Sequence, residues 1–122
     1  MIRLKHEDSD RTLGSVTKDY AFFVVNAADS TTGKLPEGLS VADETRICVE
    51  KLEAALEKAG LTLNDLAKCN SFLAEDSYRA DFWGTYNKML APGPYPARCT
   101  FVTGLPSGCR VQLDAVAVNT GA

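Results

Sequence analysis

Residues 40–60 spell out one helix together with both of its ends, and strand-like runs stand on either side. Ser40 is a good N-cap, and Asp43 is placed to answer it, a shorter acid than the usual capping-box Glu but one the helix dipole favours. Cys48, Leu52, Ala55, Leu56 and Ala59 recur at helical spacing and make a single apolar stripe. Glu44, Glu50, Lys51, Glu53, Glu57 and Lys58 cover the rest, and a solvated face accounts for all of them. Gly60 falls where a left-handed residue closes a helix. A helix with one apolar stripe must lie on something, and its neighbours in the chain are strands.

Residues 12–17 read as a short strand, and Lys18-Asp19 as a tight turn into residues 20–25, whose aromatic and β-branched content marks a buried strand. Asp29 opens a loop punctuated by Thr32-Gly33, Pro36 and Gly38. Beyond the helix, residues 66–73 form the next strand. Ser77 can cap a second helix whose Tyr78, Phe82, Tyr86 and Met89/Leu90 read as a core stripe. Pro92 stops it, and Pro92-Gly93-Pro94-Tyr95-Pro96 is a stiff loop. Residues 97–103 and 109–118 are the last strands, joined through Gly104-Leu105-Pro106-Ser107-Gly108. The order β-β-α-β-α-β-β describes an α+β fold, one mixed sheet with two helices on one face, in a single domain over residues 1–122. Long apolar strands on the uncovered face call for a partner chain, which leads us to expect an oligomer.

Composition narrows the function classes. With 45% apolar and 24% charged residues, the 122-residue chain is unlike disordered, collagenous or coiled-coil sequences. No apolar run approaches the ~18 residues of a membrane span, and the N-terminus turns acidic at Glu7-Asp8 where a signal peptide would be apolar, so a cytoplasmic protein without membrane partners is expected. Sixteen acidic against thirteen basic residues, with no basic run, argue against nucleic acid. Cys48, Cys69, Cys99 and Cys109 lie at intervals of 21, 30 and 10, neither a zinc nor a redox spacing, and His6 is the one histidine. Four reduced packing thiols and no metal are expected.

Read as a hairpin centred on Pro106, the last two strands set Arg98 opposite Asp114 and Thr100 opposite Gln112, all four on one face. A small ligand gripped by Arg98 could fill the diagonal gap to Gln112, since a guanidinium offers paired donors that match a carboxylate and stays charged. An Arg98–Asp114 ion pair that only pins the hairpin is an equal alternative. Gln112 can orient a water but cannot take its proton. Cys99 points to the other face, has no histidine to activate it, and reads as a buried packing group. Trp83 either fills a helix–sheet or subunit contact or narrows a cleft.

Pro96-Ala97-Arg98-Cys99-Thr100, Leu105-Pro106 and Val111-Gln112-Leu113-Asp114-Ala115-Val116-Ala117 resemble the C-terminal signature of the RidA family, also called YjgF or endoribonuclease L-PSP. The resemblance extends back through Thr85-Tyr86, Asp65-Leu66-Ala67-Lys68, Leu56-Glu57-Lys58-Ala59-Gly60-Leu61 and Thr32-Gly33, covering about residues 20–118. It implies a chorismate-mutase-like homotrimer with clefts between subunits, needing no cofactor, and hydrolysis of reactive enamines and imines such as 2-aminoacrylate to a 2-keto acid and ammonia. In that setting Arg98 stands where the family's arginine binds the substrate carboxylate. Backbone near Cys99 helps to hold the ligand, and position 112 orients the attacking water. The chain also departs from the pattern. Gln112 replaces a glutamate, Val25-Asn26-Ala27 a Ser-Gly-Gln, Leu13-Gly14-Ser15-Val16 a Gly-Pro-Tyr-Ser, and Trp83 an asparagine.

The resulting expectation is an enamine/imine deaminase-like hydrolase for a small carboxylate-bearing molecule, or a pathway-specialised variant. Arg98 and Gln112 are its catalytic residues, and Arg98, Cys99, Asn26, Trp83 and Thr100 its substrate-binding set. The alternative is a non-hydrolytic binder or sensor of keto acids or amino acids. Ribonuclease activity is disfavoured by the acidic balance and by the lack of an acid–base pair near Arg98.

Overall fold

The computed structural model describes residues 1–6 and 9–120. Its elements are β1 (Ile2–Lys5), β2 (Thr12–Val16), β3 (Tyr20–Asn26), α1 (Val41–Lys58), β4 (Leu66–Leu73), α2 (Arg79–Leu90), β5 (Thr100–Val102) and β6 (Val111–Val118). They build one six-stranded mixed sheet in the order β1-β2-β3-β6-β4-β5. Both helices cover the same face. The expected architecture therefore holds, with one strand more at the N-terminus than the sequence reading supplied.

Helix α1 ends as its sequence dictates. Ser40 Oγ accepts the Asp43 N–H and the Asp43 carboxylate accepts the Ser40 N–H, both at 3.0 Å, which is a complete capping box. At the other end Gly60 takes φ 75°, its N–H reaches the Glu57 carbonyl, and the Leu61 N–H reaches the Leu56 carbonyl. This pair of bonds, with buried Leu61 against buried Leu56, is a Schellman motif. Helix α2 starts later than Ser77 suggests, after a single 3₁₀ turn at Asp76–Tyr78. Gly14 on β2 is required by packing: a Cβ there would lie 2.7 Å from the Phe23 ring.

The last two strands do not form a hairpin. β5 runs parallel to β4, with Ser71 beside Thr100, while β6 runs antiparallel to β4 on its other edge and to β3 beyond. The reason lies in α2. A helix between two adjacent strands returns the chain to the end where it began, so β4-α2-β5 makes a parallel crossover. β6 then enters the middle of the sheet, where Val111, Leu113, Ala115 and Ala117 are at most 1% exposed beneath the helices.

One buried ion pair fixes the start of β6. Glu44 of α1 is fully buried, and its carboxylate accepts the Arg110 N–H at 2.6 Å, Arg110 Nε at 2.8 Å and the Val111 N–H at 3.3 Å. Arg110 also donates to the Leu39 carbonyl. The sequence reading took Glu44 for a solvated charge. It instead joins the first turn of α1 to the central strand.

Among the described residues no helix covers the opposite sheet face. Tyr20, Phe22 and Val24 of β3, Val118 of β6, and Phe101 and Val102 of β5 stand 41–49% exposed on or beside it. Phe72 and Phe101 stack there with ring centroids 5.3 Å apart.

Replacing Glu44 by Ala leaves Arg110 without its counter-charge and two backbone N–H groups without their acceptor. We expect a loss of about 3–5 kcal/mol, read as a lower urea midpoint at unchanged slope. Glu44→Gln, which keeps an acceptor for the main chain, should lose less.

Candidate functional site

The residues expected to gather around one ligand divide between the two faces of the sheet. The Lys68–Ala97 bridge and the Ser71–Thr100 pairing set Arg98 beside Cys69, on the helix-covered side. Asn70–Asp114 and Phe72–Gln112 are neighbours on the open side. Arg98 and Thr100 thus share one face, and Gln112 and Asp114 the other. The register separates Arg98 from Gln112 by three residues along the strands and two strands across, about 14 Å at the backbone from ordinary sheet spacings. Neither the facing pair Arg98–Asp114 nor the pair Thr100–Gln112 exists, because β4 lies between the strands concerned.

Arg98 is held by α2. Its guanidinium carbon sits 3.0 Å over the centre of the Trp83 ring and 5.1 Å from that of Tyr86, and Nη1 donates to Asn87 Oδ1 at 3.2 Å. The Trp83 ring packs edge-on against Phe82 and Tyr86. No carboxylate pairs with Arg98 among the described residues, so the ion-pair alternative is not realised and the charge is unspent. Burial pulls the guanidinium below its ordinary pKa, opposed by the nearby Tyr86 hydroxyl. Burial likewise pushes the Cys69 thiol beneath it up to about 11, and the Tyr86 hydroxyl above its ordinary range. Ser71 Oγ and Thr100 Oγ1 are buried here without hydrogen-bond partners among the described residues. Thr100 therefore lies at the base of the Arg98 strand but not facing Gln112.

Cys99 corrects another expectation. Its side chain does alternate away from Arg98, but it is exposed, because it leads into β5, the edge strand of the sheet. Its carbonyl is already taken by the Ser71 N–H at 2.9 Å. Cys48, Cys69 and Cys109 are the buried thiols.

On the open face, Gln112 Oε1 accepts Asn26 Nδ2 at 3.0 Å, and Asn26 Oδ1 accepts the Ala28 N–H at 3.1 Å. Asn26 also lines a cleft of about 180 Å³ with Arg11, Ser30, Gly33, Pro106 and Ser107. Arg11 donates to the Ser30 carbonyl, and Lys51 to the Asn26 and Ala28 carbonyls, so two cations brace the loop that forms the cleft wall. His6 stands in the same wall with its pKa lowered, first by burial and then by Arg11, Lys51 and Lys58. Sequence reasoning missed Arg11, Ser30, Ser107 and His6 as neighbours of Asn26, since nothing local links the β1–β2 connection to the loop after β3. Among the described residues no cluster of three or more His, Cys, Asp or Glu side chains could hold a metal, and no helix is long and apolar enough to cross a membrane.

The family model described as Endoribonuclease L-PSP matches residues 24–119. The chain belongs to the RidA/YjgF family. It is 37% identical over 91 residues to Protein mmf1, mitochondrial, of Schizosaccharomyces pombe, an alignment covering 71% of this chain and 55% of that protein. It is 35% identical over 95 residues to the mouse 2-iminobutanoate/2-iminopropanoate deaminase, covering 75% and 67%. Escherichia coli TdcF, solved with bound serine, superposes at a TM-score of 0.80 with 23% identity over 95% of this chain and 93% of its own. The YjgF gene product of the same species does so at 0.81 with 22% identity, again over 95% and 93%. In this member of the family Trp83 holds the arginine and Gln112 is tied to Asn26.

Trp83 is the single tryptophan, so its emission reports on the stack directly. Arg98→Ala uncovers one face of the indole to water, and a red-shifted emission maximum is expected in the folded variant.

Proposed function

We propose that the chain is an enamine/imine deaminase-like hydrolase for a small carboxylate-bearing substrate, working in clefts between the copies of a homotrimer. The observation that carries the reading is the Arg98 guanidinium, half-buried, set over the Trp83 ring and free of any carboxylate partner among the described residues. A positive fork fixed in this way suits a substrate carboxylate. Gln112 and the Asn26 cleft stand at the reacting end. Arg98 and Gln112 face opposite sides of one chain, so the complete site joins Arg98 of one copy to Gln112 of another. In the reaction a water oxygen adds to the imine carbon, both water protons pass to the imine nitrogen, and the carbon–nitrogen bond breaks to release ammonia and leave a 2-keto acid. Imines of this kind are labile, so positioning and exclusion of bulk water suffice without a strong base.

The exposed aromatic face supports the assembly, since large apolar patches seldom stay in water on a lone soluble chain. A second reading, a keto-acid or amino-acid binder without turnover, is favoured by one feature: an amide at position 112 cannot take a proton from water.

Generated 2-iminopropionate, with keto-acid release as the readout, separates the readings. We expect Arg98→Ala to abolish release and Gln112→Glu to raise it. Saturable keto-acid binding by calorimetry with no turnover would instead favour the binder. Phe22→Asp places a charge in the aromatic face, and we expect it to sediment as a single chain where the unaltered protein sediments as a trimer.

A further inference from the structure

The Asn26–Gln112 pair has a fixed polarity. The acceptor of the Ala28 N–H must be an oxygen, because a main-chain N–H only donates, so the Asn26 amide cannot be turned end for end. Its Nδ2 is then the group facing Gln112, and Gln112 must meet it with Oε1. The other end of the Gln112 amide, Nε2, has no hydrogen-bond partner among the described residues and is not sealed from solvent. The group that position 112 offers to a ligand is therefore N–H.

We propose that Gln112 acts as a donor that selects ligands bringing a lone pair, the carbonyl oxygen of a 2-keto acid or the nitrogen of an imine. It disfavours the ammonium of an amino acid, which brings only further donors. A glutamate at this position would present the opposite polarity. The inference rests on the reading of Arg98 as the carboxylate holder, and it adds Asn26 as the residue that sets specificity through Gln112. Two donors brought together where a bound ligand displaces water leave both unsatisfied, an effect worth about tenfold or more in affinity.

Calorimetry on the intact protein with 2-ketobutyrate and 2-aminobutyrate, which share a carbon frame, measures the preference. We expect the keto acid to bind at least about tenfold more tightly. Asn26→Asp keeps the acceptor for Ala28 but turns its second oxygen toward Gln112, which must then rotate to donate Nε2 and present Oε1 on the open face. In that variant the ratio should fall about tenfold or invert, and Gln112→Glu should move it in the same direction. Equal affinity for the two ligands in the unaltered protein, binding of neither, or an unchanged ratio in a folded Asn26→Asp variant would each overturn the proposal. Arg98→Ala tests the underlying reading separately. It should weaken both ligands alike, and if it weakens neither, the carboxylate site fails while the Asn26 series still reports on polarity.

Discussion

The position of β6 between β3 and β4 governs the rest of the geometry. It gives a largely apolar strand two hydrogen-bonding neighbours and buries its inward side on the helix-covered face. It also leaves only the far edge of β4 for β5, which the α2 crossover delivers in parallel. The buried Glu44 carboxylate pins this arrangement by accepting the N–H groups of Arg110 and Val111 at the entry to β6, so the register of the central strand is tied to the first turn of α1. From that register follow the burial of alternate β6 residues and the outward placement of Gln112 and Asp114.

Helix α1 was legible because all its signals are local: a cap, a stripe and a closing glycine within residues 40–60. The same holds for β4, whose observed bounds are those read from the sequence. Ile2-Arg3-Leu4-Lys5 does alternate, yet four residues are too few to separate an edge strand from a charged leading stretch. The misplacement of β5 has a different cause. The loop around Pro106 is short enough for a hairpin, and only the competition of three strands for the edges of β4 and β6 excludes one. Asn26 and Gln112 lie 86 residues apart, so their contact is a product of sheet order and not of any motif.

Trp83 illustrates how an arginine can be immobilised without being neutralised. An aspartate partner would hold the guanidinium but cancel its charge toward a ligand. An aromatic face attracts the cation through its quadrupole and leaves the net charge in place. The Asn87 amide adds one directed bond without adding an anion. Partial burial strengthens both contacts, while Arg98 remains cationic because guanidinium pKa values start so high.

The placement of Arg98 and Gln112 on opposite faces and the apolar surface are consequences of one topology. β4 keeps Arg98 and Gln112 apart within a chain, and the same sheet presents its aromatic surface away from the helices. On the proposed assembly, covering that surface and completing the cleft are a single event, so ligand and assembly stabilise each other by mass action. A ligand spanning an Arg98 from one copy and a Gln112 from the next adds its binding energy to the interface, and it does so only when both copies are present. Catalysis of this kind would fade on dilution faster than in proportion to protein, because dissociation removes a half-site from every remaining chain.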